Sequence, residues 1–132
     1  VDAAIPKDNP NHLIVDRQTF LNILRRVSIF ASQSTLQVRL AMQERTLNVS
    51  SEDIEFSNRG NENMPCEYVG DPMEIGFNAR FLMEMVNNID TDRISIEMSH
   101  PSRAGIIYPE YDSEEQHTED ILMLVMPVML AN

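Results

Sequence analysis

At 132 residues the chain is long enough for one domain whose core removes roughly two-thirds of the unfolded surface from water, and too short for a second domain of ordinary size. Hydrophobic residues make up 42% and charged residues 23%, which excludes a disordered chain, while 21 Asp and Glu against 10 Lys and Arg disfavour whole-surface binding to nucleic acid. The single Cys66 excludes an internal disulfide, no stretch has the pattern of a signal peptide, and the longest apolar run, residues 121–130, is about half a membrane-spanning helix. A reducing cytoplasm is the expected compartment.

The first residue is Val1, so a processed chain or a piece of a longer one is expected. "IPKDNPNH" sets Pro6 and Pro10 around Asp8 and Asn9, which predicts an extended linker over residues 1–10 and a domain over 11–132. "HLIVD" reads as a strand. Asp16 then caps a helix with Phe20, Ile23, Leu24 and Val27 at helical spacing and Arg17, Gln18, Asn22, Arg25 and Arg26 on the opposite face. From Leu36 to Val69 the pattern turns to period two, in "LQVRLAM" and "TLNVS", which predicts an antiparallel meander; "SNRGNENMP" reads as a turn around Gly60.

The second half repeats the order. "PMEIGFN" is a strand, Asn78 a second cap, "ARFLMEMVNNI" a helix, and "RISIEM", "AGIIY" and "DILMLVM" are strands, with an acidic loop in "YPEYDSEEQHTED". Laying Asn78 on Asp16 superposes Leu82 on Phe20, Met85 on Ile23, Val86 on Leu24 and Ile89 on Val27. The expected fold is α+β with pseudo-twofold symmetry, two strand-helix-strands repeats whose strands join in one antiparallel sheet with both helices on one face.

Chemistry is thinly represented. The acidic run lacks the ligand spacing and central glycine of a calcium loop, and no histidine has a ligand partner at useful spacing, so no metal or cofactor is expected. Cys66 with His12, His100 or His117 could make a nucleophilic site, but a structural thiol in the strand pattern "PCEYV" is the commoner case, and no hydrolase or phosphate-loop motif occurs. No enzyme is expected. Arg17, Arg25 and Arg26 form either a solvated helix face or a phosphate-facing one.

The closing run "LMLVMPVML" has a second meaning. Residues 121–126 are continuously apolar, as in a strand covered on both faces, but Val128, Met129 and Leu130 follow a proline and are either tucked against the domain or kept as a contact surface. Met126 and Met129 favour contact, because thioether side chains remould around different apolar partners.

Taken together, "IPKDNPNHLIVDR", "MEIGFNARFLMEMVNNI" and the ending "VMPVML" resemble the third, C-terminal domain of the bacterial DNA polymerase III beta sliding clamp family, in matching order from Ile5 to Leu130. The resemblance implies a DNA-clamp domain, with two further domains of the same fold absent from this chain. It implies a DNA-replication processivity factor without catalytic activity: subunits close head to tail into a homodimeric ring around duplex DNA. Polymerase III alpha subunit, clamp loader and repair proteins then insert short linear motifs into a pocket beside the closing run. Carried over by position, the pocket residues are Asn78, Phe81, Ser102, Ala104, Leu124, Val125, Met126, Pro127, Val128, Met129 and Leu130. Arg17, Arg25, Arg26 and Arg80 become DNA-facing, and Ile29 and Phe30, otherwise core candidates, become a subunit interface. The isolated domain is then expected to be a monomer or weak dimer. Met129 stands where many relatives carry a basic residue, and Ala131 and Asn132 extend past Leu130. A stand-alone peptide-binding adaptor is the alternative reading.

Overall fold

A computed structural model describes residues 10–111 and 123–128. In chain order the elements are β1 (Asn11–Asp16), α1 (Arg17–Ser28), β2 (Gln37–Met42), β3 (Thr46–Asp53), β4 (Asn58–Pro65), β5 (Glu67–Val69), β6 (Met73–Asn78), α2 (Ala79–Asn87), β7 (Arg93–Met98), β8 (Gly105–Glu110), β9 (Met123–Val125) and β10 (Pro127–Val128). The linker expected over 1–10 lies outside the described residues except for Pro10, as do residues 112–120 of the acidic loop.

Both helices start as their sequences require. The Asp16 carboxylate accepts from the Thr19 amide at 2.9 Å and the Asn78 side chain accepts from the Phe81 amide at 3.0 Å, so each satisfies a donor that the first helical turn cannot pair internally. Phe20, Leu24 and Val27 of α1 are buried, as are their counterparts Leu82, Val86 and Ile89, while Met85 is only partly buried. Leu21 also turns inward, which widens the apolar stripe beyond the four residues of the repeat.

The strands form two five-stranded antiparallel sheets, ordered β5-β1-β7-β8-β9 and β10-β6-β2-β3-β4, where one sheet was expected. Each half sends its first strand into the sheet of the other half. β1 pairs with β7, Asp16 opposite Arg93 and Leu13 opposite Ile96; β6 pairs with β2, Asn78 opposite Gln37 and Ile75 opposite Leu40. These registers are equivalent under the repeat. The physical reason is that each helix runs between its own half's first strand and meander, separating them, so the open edge of that strand meets the other half's meander instead. The first amide of each helix secures the exchange: Arg17 N donates to Asp92 O at 2.8 Å, and Ala79 N to Leu36 O at 2.7 Å. α1 packs on α2 and against strands of both sheets, and the inward side chains make one continuous core.

"SNRGNENMP" is the strand β4 rather than a turn. The chain reverses earlier, at Ile54–Ser57, where Ser57 N donates to Ile54 O at 3.3 Å and Ser57 adopts φ 56°. An edge strand tolerates polar residues that a central strand would not, and here the asparagines pair across it: Asn48 Nδ2 donates to Asn61 and Asn63 at 3.3 and 2.8 Å.

In the closing run, β9 pairs with β8 in the first sheet and β10 pairs with β6 in the second. Met126 is the step between them and is 67% exposed, so the run is not covered on both faces as far as residue 126. A residue that passes from one sheet to the other lies on neither. Pro127 joins a ladder after all, opposite Phe77, because an edge strand can leave the missing amide unneeded. β5 plays the equivalent part for the first half, lying against β1.

Phe20→Ala is expected to cost about 3–5 kcal/mol in urea denaturation, since the ring is completely buried. The Thr19 hydroxyl first, then the Thr19 amide, hold the Asp16 carboxyl below its ordinary value. Its contribution to stability is therefore present above the unfolded carboxylate pKa of about 4 and is lost as pH falls through the lower folded value. Asp16→Ala should cost about 1 kcal/mol at neutral pH and less at pH 3, measured by urea midpoints across that range.

Candidate functional site

The crossing of the closing run from sheet to sheet creates a corner. The pairing of Pro127 with Phe77 sets Met126 level with Asn78, and the Asn78 cap fixes the first turn of α2, on which Phe81 is 56% exposed. Pro127 and Val128 are half-buried beside them. On the other side of the step, Leu124 pairs with Ile106, and Val125, buried, pairs with Gly105 next to the half-buried Ala104. Ser102 lies in the preceding turn, its amide donating to His100 Nδ1 at 3.1 Å and its hydroxyl 2.7 Å from the same nitrogen. The topology thus gathers Asn78, Phe81, Met126, Pro127 and Val128 through β6 and β10, and Ala104, Leu124 and Val125 through β8 and β9. Met129 and Leu130 lie outside the described residues. Two exposed apolar side chains beside an outer strand edge and a cap amide can take an extended segment with apolar anchors.

A second apolar surface lies at the end of α1. Ile29 is 72% and Phe30 40% exposed, so neither is core. Ser51 Oγ donates to Val27 O at 2.5 Å and ties the end of the helix to β3, and the Phe30 ring covers Gly60 of β4, where a Cβ would overlap it. β4 is the outer strand of its sheet. Ile54 and Phe56, in the turn before β4, are also largely exposed and were not singled out in the sequence, where period-two counting treats any apolar residue as inward-facing.

The four arginines differ in their freedom. Arg26 makes a bidentate pair with Glu62 of β4, 2.8 Å for each contact, which draws the Glu62 carboxyl below its ordinary value. Arg17 Nε donates to Thr91 O at 2.9 Å and braces the turn before β7. Arg25 reaches only Asn22, at 3.5 Å, and exposed Arg80 has no ion pair among the described residues. A polar depression of about 650 Å³, lined by Arg39, Asn48, Ser50, Arg59 and others, crosses the second sheet.

Cys66 is half-buried between β4 and β5, and its thiol faces Gln43 O at 3.7 Å. His12 faces Glu97 at 3.2 Å, and Glu97 accepts from the Tyr108 hydroxyl, whose pKa is pushed up to about 12 by burial first and by that hydrogen bond second. His117 lies outside the described residues. Among the described residues no cluster of three or more acidic, histidine or cysteine side chains could hold a metal, and no helix is long and apolar enough to cross a membrane. Burial first, and Glu67 second, push the Cys66 thiol above its ordinary value, the opposite of an activated nucleophile. Its alkylation by iodoacetamide at pH 8 should be slower than that of free cysteine under the same conditions.

The model of the DNA polymerase III beta subunit, C-terminal domain, matches residues 2–126. The chain belongs to this family. The beta sliding clamp of Synechococcus elongatus is 29% identical over 130 residues, which cover 96% of this chain and 32% of that protein. A clamp structure from Bartonella birtlesii bound to griselimycin superposes with a TM-score of 0.85 at 25% identity, covering 96% of this chain and 32% of that one. One from Pseudomonas aeruginosa, also bound to griselimycin, gives 0.87 at 22% identity, covering 98% of this chain and 33% of that one, and shares the α+β clamp fold. The chain therefore spans about a third of the length of these sliding clamp relatives.

Proposed function

We propose that this chain is the third domain of a ring-shaped sliding clamp, a processivity factor of DNA replication that encircles duplex DNA and tethers polymerase III and other partners. The carrying observation is the exposed corner of Phe81 and Met126, formed where the closing run changes sheets, in a chain of the beta-clamp family. In this reading residues 1–10 are an interdomain linker, 11–132 the domain, and two domains of the same fold precede it. The clamp is non-catalytic, takes no cofactor and works in the cytoplasm.

Each surface has a task suited to its chemistry. The corner of Asn78, Phe81, Ser102, Ala104 and 124–130 receives short linear motifs from the polymerase alpha subunit, the clamp loader and repair proteins. Partially exposed apolar side chains suit exchangeable ligands of modest affinity. Ile29 and Phe30 meet the neighbouring subunit of a head-to-tail homodimer, which supplies the covering that their exposure lacks. Arg17, Arg25, Arg26 and Arg80 face DNA. With Arg26 held by Glu62 and Arg17 bonded to Thr91, Arg25 and Arg80 carry the freer charges, and few phosphate contacts favour sliding over tight binding. The relatives from B. birtlesii and P. aeruginosa bind griselimycin, which supports a ligand site in clamps of this kind.

Titrating the isotope-labelled domain with a short polymerase-type clamp-binding peptide should shift amides at Asn78, Phe81, Ser102 and 124–130. No shift at saturating peptide would count against the corner as a self-sufficient site. In the full-length subunit, Ile29→Ala with Phe30→Ala should open the ring; an unchanged dimer mass at low micromolar concentration would remove that assignment.

A further inference from the structure

Laying the second half on the first brings Arg25 and Arg26, in the last turn of α1, onto Asn87 and Asn88 at the end of α2. One helix closes with two cations and its counterpart with none. Arg26 is nevertheless not a free charge, because its Nε and Nη2 each donate to the Glu62 carboxylate at 2.8 Å. The alternation of β4 turns Glu62, opposite the buried Val49, to the same face as Met64, the face against which α1 packs. The acid therefore stands on the helix side of the sheet.

Stability does not account for the pair. The two side chains are 56% and 35% exposed, and an exposed ion pair adds little to folding. Asn88 stands in the place of Arg26 in the second half, which reaches equivalent strand registers without such a pair. A cation in the last turn is already well placed beside the helix carbonyls and needs no carboxylate. What the pair changes is charge: it fills the guanidinium fork and cancels its field.

We infer that Glu62 sets the strength of DNA contact, by occupying the fork of Arg26 that would otherwise take a phosphate. This role rests on the proposed DNA-facing surface and deepens it with an acid on the same face. A carboxylate and a phosphate both offer two oxygens to the parallel N–H groups of a guanidinium, so they compete for one fork. Arg25, whose Nη1 reaches Asn22 at 3.5 Å, stays available beside it. Each further phosphate contact tightens binding and steepens its salt dependence, whereas a clamp that slides is served by shallow contact.

The test is fluorescence anisotropy of a short labelled duplex with the full-length subunit over a salt series, with dimer mass followed by sedimentation. It compares Glu62→Gln, Glu62→Gln with Arg26→Gln, and Arg80→Gln. Glu62→Gln should bind roughly threefold or more tightly at low salt, and the slope of log affinity against log salt should steepen by about 0.9, the value of one phosphate. The double variant should return to within about twofold of wild type, because the gain belongs to Arg26. A gain that persists in the double variant reflects only a lost negative charge and overturns the inference. Glu62→Gln with wild-type affinity and slope, while Arg80→Gln weakens binding, overturns it and leaves the DNA-facing reading intact. If neither Glu62→Gln nor Arg80→Gln alters binding, both readings fail. If Glu62→Gln lowers the dimer mass, Glu62 serves ring closure instead, and the inference is also overturned.

Discussion

The structure depends on the exchange of first strands between the two halves. β1 and β6 each pair on one edge with the long strands of the other half and on the other edge only with a short strand of their own half, β5 or β10, so neither half can bury the inner face of its first strand alone. The bond from Arg17 to the Asp92 carbonyl and its counterpart from Ala79 to the Leu36 carbonyl lock the exchange where each helix begins. Both are made by amides that the helix itself cannot pair, so the orphan donors of one half become ties to the other. The common core, the equivalent registers and the positions of β5 and β10 follow from this single arrangement.

Much of it was legible in residue order. The caps Asp16 and Asn78, the helical stripes and most strands follow from spacing, and the repeat was visible because cap and stripe occur twice. The two-sheet arrangement was not legible, since the alternation of β1 gives which face is buried and says nothing of its neighbour. β4 was mistaken for a turn because Asn58, Gly60, Asn61 and Asn63 have turn chemistry locally, and that preference yields to eight pairings with β3. The true reversal, with Ser57 at positive φ, carries no glycine to announce it.

The candidate surfaces show the same division. The closing run stood out as apolar, yet only the topology distinguishes Val125, buried beneath the first sheet's edge, from Met126, exposed one residue later. Ile29 and Phe30 read equally as core or contact, because hydrophobicity does not report exposure. Composition counts cations but not the acid that holds Arg26; Glu62 lies on β4, whose residues have the local chemistry of a turn.

The strand exchange also orders the life of the chain before it is finished. Synthesis delivers β1 and α1 early, but the strand that closes along β1 through six pairings is β7, which begins at Arg93. Until that segment emerges, only the three residues of β5 can lie against β1, and the apolar faces of Leu13 and Val15 have no complete sheet to join. The nascent domain therefore spends most of its translation in a state that neighbouring chains or chaperones can engage, and it gains its resistance to aggregation late and all at once.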